Sequence, residues 1–367
     1  MNLFSRWMLV LLAGAALMPV PRVIAQDTAS KIKSEAERLQ KVLKDKPISD
    51  PNFAQVGNMV SASLQSSIQA AHANHFYVSL ESLAQAEDLL GGMGVIADKG
   101  ATVKNNLPAF ESEWGTASLR LATLDREAHN QKWENAPVAI RALSEAAQGK
   151  AIPLLDGGRG FATAMGPSDG LFYVGEAQGE ADFARFCATL GLTAAREPFP
   201  LRSFLPELQS LQTKANAAFQ PPRSIEQHPR FIALNSTIKL AEELDSTRFY
   251  AGAIYQYLEA VRHYGMLDQQ PLDAAGQAKL KAEIAAAQKK FFASQKDDSI
   301  GQLFLERAES QVTHADGTAP SADEWRSAQV ILDQVLPAYE AARKPASPMQ
   351  RAAGKTVEIT LVRWPYT

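Results

Sequence analysis

Apolar residues recur at spacings of three and four along most of the chain, which is the periodicity of helices that bury one face. The five clearest stripes comprise Val56, Val60, Leu64 and Ile68; Phe204, Leu208, Leu211, Ala215 and Phe219; Ile254, Leu258 and Val261; Leu280, Ile284 and Phe291; and Trp325, Ala328, Leu332, Val335 and Tyr339. The pattern predicts an all-α fold.

Helix start and stop signals stand between these stripes. Ser321 and Glu324 have the spacing of a capping box, in which each side chain satisfies a free backbone N–H of the first helical turn. Proline and glycine clusters indicate breaks between helices at Asp156-Gly157-Gly158, Gly166-Pro167, Pro198-Phe199-Pro200 and Pro221-Pro222. We therefore expect antiparallel helix pairs, arranged as a two-lobed bundle or as a short solenoid. An N-terminal helical region is placed at 26–195 and a C-terminal one at 196–343.

Two segments are similar to a known helical repeat. Tyr173-Val174-Gly175-Glu176-Ala177, followed by Asp182-Phe183-Ala184, resembles the two-helix unit of tetratricopeptide repeats. Tyr250-Ala251-Gly252-Ala253 is a second, partial match. The resemblance implies a repeat array in which a small residue on one helix lets the second helix pack closely. The chain departs from the family pattern because it lacks a strict period of about 34 residues.

Residues 344–367 break the helical pattern. A linker with two prolines is followed by Val357, Ile359 and Leu361, which alternate with polar residues as in a β-strand. A lone strand cannot satisfy its own backbone. It could pack on the chain's own helices, add to a strand of another protein, or pair with its own copy. The residues predicted to contact a partner are Val357, Ile359, Leu361, Trp364 and Tyr366.

Residues 1–25 have the three parts of a secretion signal. Arg6 supplies the positive charge, residues 7–20 form an uncharged apolar run, and Val23 and Ala25 precede a cleavage point. The run is shorter than the about 20 apolar residues that cross a bilayer. We therefore expect cleavage after Ala25, a periplasmic or secreted protein, and no membrane-spanning segment in the mature chain.

Charge and cysteine content narrow the classes of partner. Loss of the signal removes Arg6 and Arg22 and no acidic residue, so the formal charge changes from −3 to −5. The chain has no basic stripe, and we expect no nucleic-acid partner. Cys187 is the only cysteine, which excludes an internal disulfide, and we interpret it as a buried apolar side chain.

Few residues suggest a metal-binding or catalytic site. His72 and His75 are three positions apart, a spacing that can share a metal ion, but no Glu-x-x-His pair accompanies them. We interpret both as surface or structural histidines, expect no cofactor, and assign no catalytic residues.

The expected function is therefore that of an exported helical scaffold, which binds another protein of the cell envelope and has no catalysis of its own. Two alternatives remain open. One is a periplasmic helical bundle that binds a metal or a small molecule. The other is a helical hydrolase of an unfamiliar kind.

Overall fold

The computed structural model describes residues 21–45, 54–131, 133, 136–190, 197–268, 270–314 and 317–344. Within these ranges every regular element is helical, which confirms the all-α prediction. The elements are α1 (Pro21–Asp45), α2 (Ala54–His72), α3 (Phe76–Val103), α4 (Leu107–Asn130), α5 (Val138–Ala164), α6 (Pro167–Thr189), α7 (Leu205–Ala218), α8 (Arg223–Glu226), α9 (His228–Ser246), α10 (Tyr250–Gly265), α11 (Ala274–Phe292), α12 (Ser299–Val312), α13 (Ala322–Val330), a π-helical turn (Ile331–Val335) and α14 (Leu336–Ala342). Among these helices, none combines the length and apolarity that crossing a membrane requires.

Two predicted segments lie wholly or partly outside the described residues. The predicted strand at 356–367 is outside them, together with all five of its partner-contact candidates, and so are residues 1–20 of the predicted signal. Helix α1 begins at Pro21 and continues through the expected cleavage point after Ala25. In the described part of the chain, β pairing is limited to one isolated parallel bridge between Glu197 and Lys296.

Helix α6 makes the most extensive helix–helix contacts, which are with α3 and α5, and it also packs against α4. Helix α5 packs in addition against α10, which contacts α9 and the final rod formed by α13, the π turn and α14. Helix α12 contacts α3, α5 and α13. The buried apolar side chains of the described helices form one continuous core across these contacts.

Glycines bring α3 and α6 close enough for their backbones to touch. Gly91 of α3 faces Gly179 of α6, and a Cβ on Gly91 would lie 3.0 Å from Gly179 N. A Cβ on Gly179 would lie 2.9 Å from Asp88 Cα and would clash with the carbonyl oxygen of Glu87. A larger residue would push the helices apart, so glycine is needed here for close approach.

The predicted break at Asp156-Gly157-Gly158 is wrong. Helix α5 runs through all three residues and also through Pro153. The reason is packing against α6, because a Cβ on Gly158 would lie 2.8 Å from Gly170 O. Glycine is therefore required at position 158 for this close approach, although it disfavours an isolated helix by about 1 kcal/mol per residue.

The other helix breaks named above, and the predicted capping box, are confirmed. Helix α6 begins at Pro167 with Gly166 as its N-cap residue. The prolines at 198–200 lie between α6 and α7, and those at 221–222 lie between α7 and α8. Ser321 and Glu324 form the predicted capping box at the start of α13.

Both parts of the segment that resembles a tetratricopeptide unit lie on one helix, α6. Gly175 within it packs against Gly91 of α3. In the second segment, Gly252 of α10 makes a similar approach to α5, where a Cβ would lie 2.9 Å from Glu145 Cβ. At both segments, a small residue permits close packing between helices that are distant in sequence.

A side chain of α12 caps the first turn of α3. Glu306 Oε2 accepts hydrogen bonds from the backbone N–H groups of Tyr77, at 2.8 Å, and Val78, at 3.3 Å. The first N–H groups of a helix have no partner within it, so this contact satisfies two of them. It also fixes α12 against α3 at the level where Arg307 meets Glu81.

Candidate functional site

Two cavities meet at a cluster of charged side chains between α3, α5 and α6. The larger one, about 470 Å³, extends toward α9 and is named the α9 cavity. The smaller one, about 260 Å³, extends toward α10 and is named the α10 cavity. Both are lined by Asp88 of α3, Lys150 of α5 and Glu180 of α6, which we name the charged junction.

The charged junction is incompletely paired. Lys150 Nζ lies 3.6 Å from Glu180 Oε1. The other carboxylate oxygen, Glu180 Oε2, is buried and has no hydrogen-bond partner among the described residues, and the same is true of Asp88 Oδ1. The Glu180 side chain is 3% exposed, whereas that of Lys150 is 48% exposed. The carboxylate is therefore fixed in the interior, while the ammonium group reaches toward solvent.

The junction exists because of the glycine contact between α3 and α6. Gly179 directly precedes Glu180, and its missing side chain lets the α6 backbone lie against α3 at Asp88. On α5, Lys150 follows Gly149, which packs against Leu244 of α9. Small residues at these crossings thus place three charged side chains from separate helices around one space.

Burial dominates the electrostatics of this cluster. It raises the pKa of Asp88 to about 8, with Glu180 and Glu176 adding to the effect and Lys150 opposing it. Burial also raises the pKa of Glu176, one turn before Glu180, to about 7. The pKa of Glu180 is raised by burial as well, against the opposing charge of Lys150. Near neutral pH the cluster therefore retains protons that exposed carboxyl groups would release.

A second cluster closes the far end of the α10 cavity. Tyr255 Oη donates a 2.7 Å hydrogen bond to Glu81 Oε1, and Arg307 donates to Glu81 and to Glu259. Arg262 Nε also donates to Glu259 Oε2 at 3.0 Å. We name these five residues the paired network, because each of its carboxylates contacts a guanidinium group.

In the paired network, the pKa of Glu259 is shifted in the opposite direction from those of the junction carboxyl groups. Burial alone would raise the pKa of Glu259, but Arg307 and Arg262 outweigh it and lower the pKa to about 2. Burial and the adjacent Arg262 lower the pKa of His263 to about 4. The network is thus a fixed set of compensated charges that joins α3, α10 and α12.

His72 and His75, the two histidines three positions apart, have different surroundings in the structure. His72 is exposed at the end of α2, while His75 precedes α3 and contacts Glu309 Oε2 of α12 at 3.0 Å. Across the described residues, no group of three or more His, Cys, Asp and Glu side chains is arranged to hold a metal ion.

Two residues with possible nucleophilic chemistry lack an activating environment. The segment Gly166-Pro167-Ser168-Asp169-Gly170 has the Gly-x-Ser-x-Gly spacing of a hydrolase nucleophile, but helix α5 precedes it where that motif requires a strand. Cys187 is fully buried, as predicted, and burial raises the pKa of its thiol well above the usual value. Neither arrangement provides an exposed, activated nucleophile.

The junction residues were missed by sequence reasoning. The one available signal is local: Glu176 and Glu180 lie among glycine and alanine in 174–181, where charged residues have no polar helix face to join. Four of those eight residues are glycine or alanine, so the segment reads equally as a small-residue packing face. Only the crossing with α3 shows that Glu180 meets Asp88.

A third cavity, about 260 Å³, lies between α4, α5 and α9. Its lining is mainly apolar and includes Leu121, Leu124 and Phe249, with no lysine or arginine. It therefore lacks the opposed charges that the α9 and α10 cavities share.

No protein-family model matches the chain, and neither a curated protein nor a solved structure does. The functional proposal therefore rests on the chain's own residues.

Proposed function

We propose that the protein is an exported all-α binding protein, which holds a small organic ligand in the α9 and α10 cavities and has no catalysis of its own. The observation that carries the proposal is the charged junction, where two cavities meet at buried carboxylate oxygens without partners. The export part of the proposal is supported by the signal-like residues 1–25.

The cavities have the composition of small-molecule sites. Such sites typically measure roughly 300–1,000 Å³ and combine apolar walls with a few convergent polar groups. The α9 cavity, at about 470 Å³, is within that range. Leu154 and Leu240 contribute apolar surface to it, and Leu143 and Phe183 do the same for the α10 cavity.

Energetics also favour a ligand at the junction. A buried polar atom without a hydrogen bond costs about 1–3 kcal/mol. Asp88 Oδ1 and Glu180 Oε2 both carry that cost in the protein alone. A ligand that donates hydrogen bonds to these oxygens would recover part of it on binding, which gives the site a driving force that a purely structural cluster lacks.

A glycine pair on α5 provides a matched test. Gly157 lines the α9 cavity and Gly160 does not, and a Cβ at either position would meet no atom within 4 Å. Gly157→Leu should therefore obstruct the cavity without disturbing the helix, and Gly160→Leu serves as the control. Both should fold, because leucine favours a helix over glycine by nearly 1 kcal/mol.

The measurement is a thermal-shift screen of cationic, neutral and anionic small molecules against the three proteins. The proposal expects compounds that raise the melting temperature of the wild type and of Gly160→Leu but not that of Gly157→Leu. A screen in which every stabilising compound acts equally on all three proteins would refute it.

The scaffold function predicted from the sequence stays as a second candidate, supported by exposed apolar side chains around α8. Ile225 is 73% exposed and Ile232 is 53% exposed, and Phe219 lies beside them in sequence at 46%. In this proposal the helix pairs, as a two-lobed bundle or a tetratricopeptide-like solenoid, would present this surface to an envelope protein. The strand predicted at 356–367 would add a second contact.

The scaffold candidate is tested by copurification from the envelope of the native host, with the full chain, a chain that ends before Thr356, and Ile225→Ser. A partner captured by the full chain and lost from one variant assigns the contact to that element. Retention of the same partners by both variants would argue against both contacts.

A further inference from the structure

We infer that the ligand of the charged junction is a small organic amine, whose ammonium group binds between Asp88 and Glu180. The inference rests on the proposed function, since it names the class of ligand for the same cavities. It is carried by the charge balance of the lining, by the position of the unpartnered acceptor atoms and by the apolar walls on either side.

Charges at the outer edges of the two cavities are already paired. At the end of the α10 cavity, Glu81 contacts Arg307. On the rim of the α9 cavity, Lys239 Nζ lies 3.8 Å from Glu243 Oε1. A charged ligand would therefore find its uncompensated partners at the centre, where the two cavities meet.

The centre has an excess of carboxyl groups. Among the described residues that line the two cavities, Lys150 is the cation that faces Asp88 and Glu180. One ammonium group thus faces two carboxyl groups. When both carboxyl groups are ionised they exceed the charge of Lys150 by one, so a cationic ligand balances the site, whereas an anionic one would add to the excess.

The acceptor atoms suit an ammonium group. Glu180 directs Oε1 toward Lys150 and leaves Oε2 without a partner, and Asp88 Oδ1 is likewise unpartnered. An ammonium group has three N–H donors on a compact charge, so it can donate to one oxygen of each carboxylate. A metal ion would need a larger set of ligands than these two oxygens provide.

The lining also limits the rest of the ligand. Leu143, Ala147 and Phe183 line the α10 cavity, and Leu154 and Leu240 line the α9 cavity, so the ammonium group must be attached to an apolar body. The carboxylates at both outer edges are already paired with cations of the protein. A second ammonium group on the ligand would therefore find no unpaired carboxylate there. These features favour an alkyl or aryl monoamine over a diamine.

Binding of an amine should release protons. Burial raises the pKa of Asp88 to about 8, so in the free site Asp88 is largely protonated near neutral pH, and an ammonium ligand favours its ionised form. Affinity should therefore rise as the pH increases from about 6 to about 8. The charged and titratable groups that face Asp88 are Glu176 and Glu180 on α6, Lys150 on α5, and Lys239 and Glu243 on α9.

The test is isothermal titration calorimetry of the mature chain with phenethylamine, its neutral analogue 2-phenylethanol and the anion phenylacetate. The amine should bind about tenfold or more tightly than the alcohol, and phenylacetate should not bind. Glu180→Gln should weaken amine binding by about tenfold or more, as should Asp88→Asn. The matched control is Glu87→Gln, which changes a buried carboxyl of α3 that lines neither cavity.

The outcomes separate the two proposals. Equal affinities for amine and alcohol, both abolished by Gly157→Leu, would overturn the amine inference and leave the binding function intact. Amine binding that survives both Glu180→Gln and Asp88→Asn would also overturn it, by placing the ammonium group elsewhere. If none of the three probes binds, the amine inference fails, and the thermal-shift screen decides the binding function separately.

Discussion

The paired network and the charged junction lie at opposite ends of the α10 cavity and differ in how completely their charges are matched. Both draw a carboxylate from α3, Glu81 in the network and Asp88 in the junction, about 10 Å apart along the helix. In the network, two guanidinium groups contact two carboxylates. In the junction, one ammonium group lies 3.6 Å from one carboxylate and leaves acceptor atoms of two residues unpartnered.

This difference separates a structural cluster from a candidate binding site. Burial acts on the carboxyls of both clusters, yet the pKa of Glu259 falls to about 2 while that of Asp88 rises to about 8. The cause is the number of cations, because Arg307 and Arg262 both act on Glu259, whereas Lys150 alone opposes the effect of burial on Asp88. Removing one partner of a buried ion pair strongly destabilises a protein, because the other charge is then left buried without a counter-charge. Uncompensated buried charges lower the stability of the protein alone, and at the charged junction they line cavities that a ligand could enter.

The largest expected effect comes from breaking the paired network. Arg307→Met leaves Glu81 and Glu259 buried without their main cation, and should lower the free energy of unfolding by about 3–5 kcal/mol. Urea denaturation measures it. The control is Arg223→Met, which breaks a partly exposed ion pair with Asp268, and should cost at most about 1 kcal/mol. Equal losses from the two variants would contradict the structural role of the network.

A smaller loss is expected from separating α3 and α6. Gly179→Ala places a methyl group against the backbone of Glu87 and Asp88, and should lower the free energy of unfolding by about 2–3 kcal/mol. It should also weaken ligand binding, because the junction depends on this crossing. Gly94→Ala on α3 is the control: its Cβ would meet no atom within 4 Å, so it should stabilise the helix by about 0.5–1 kcal/mol. A neutral Gly179→Ala would show that the helices need no close contact there.

Stability should fall as the pH rises from about 6 to about 8, by about 1–2 kcal/mol after allowance for solvent access. The folded-state pKa values of Asp88, about 8, and Glu176, about 7, lie above their unfolded values. The folded chain therefore binds more protons, and this stabilisation is lost as the pH passes through the two folded pKa values. His263, with its pKa lowered to about 4, reduces stability only as the pH falls below about 6.5.

Urea denaturation at both pH values measures how the free energy of unfolding changes with pH. The wild type is compared with the double variant Asp88→Asn, Glu176→Gln. The double variant should lose the part of the dependence between about pH 6 and 8 that these two carboxyl groups contribute, while buried Glu87 and Glu306, whose pKa values burial also raises, are present in both proteins. A wild-type protein whose stability rises over this interval would show that the junction carboxyls are ionised in the folded state.

Much of the fold can be predicted from the sequence. Regular stripes such as Leu208, Leu211 and Ala215 are buried as expected, because helix formation and its caps depend on residues close together in the chain. Phe219 was expected to extend that stripe but is 46% exposed beyond the end of α7. The break expected at Asp156-Gly157-Gly158 is wrong for a different reason: Gly158 lies inside a helix because its contact with Gly170 of α6 leaves no room for a side chain.

The candidate site could not be predicted in the same way. Asp88, Lys150 and Glu180 come from three helices, and their meeting depends on crossings between segments far apart in sequence. Local spacing offered His72 and His75 as metal candidates, which were interpreted as surface or structural histidines, and His75 contacts Glu309 of α12. Whether a buried carboxyl is paired or unpaired depends on which side chain faces it across such a crossing, as Glu259 and Glu180 show.

The most direct test applies one substitution to both clusters: Glu180→Gln and Glu259→Gln, compared by urea denaturation at about pH 8. Glutamine keeps the shape and removes the charge. Glu180→Gln should raise the free energy of unfolding by about 1 kcal/mol, because it removes a buried, incompletely paired charge. Glu259→Gln should lower it by about 2–3 kcal/mol, because it leaves Arg307 and Arg262 without that partner. Similar losses from both would contradict the account, since Glu180 would then be a paired structural charge.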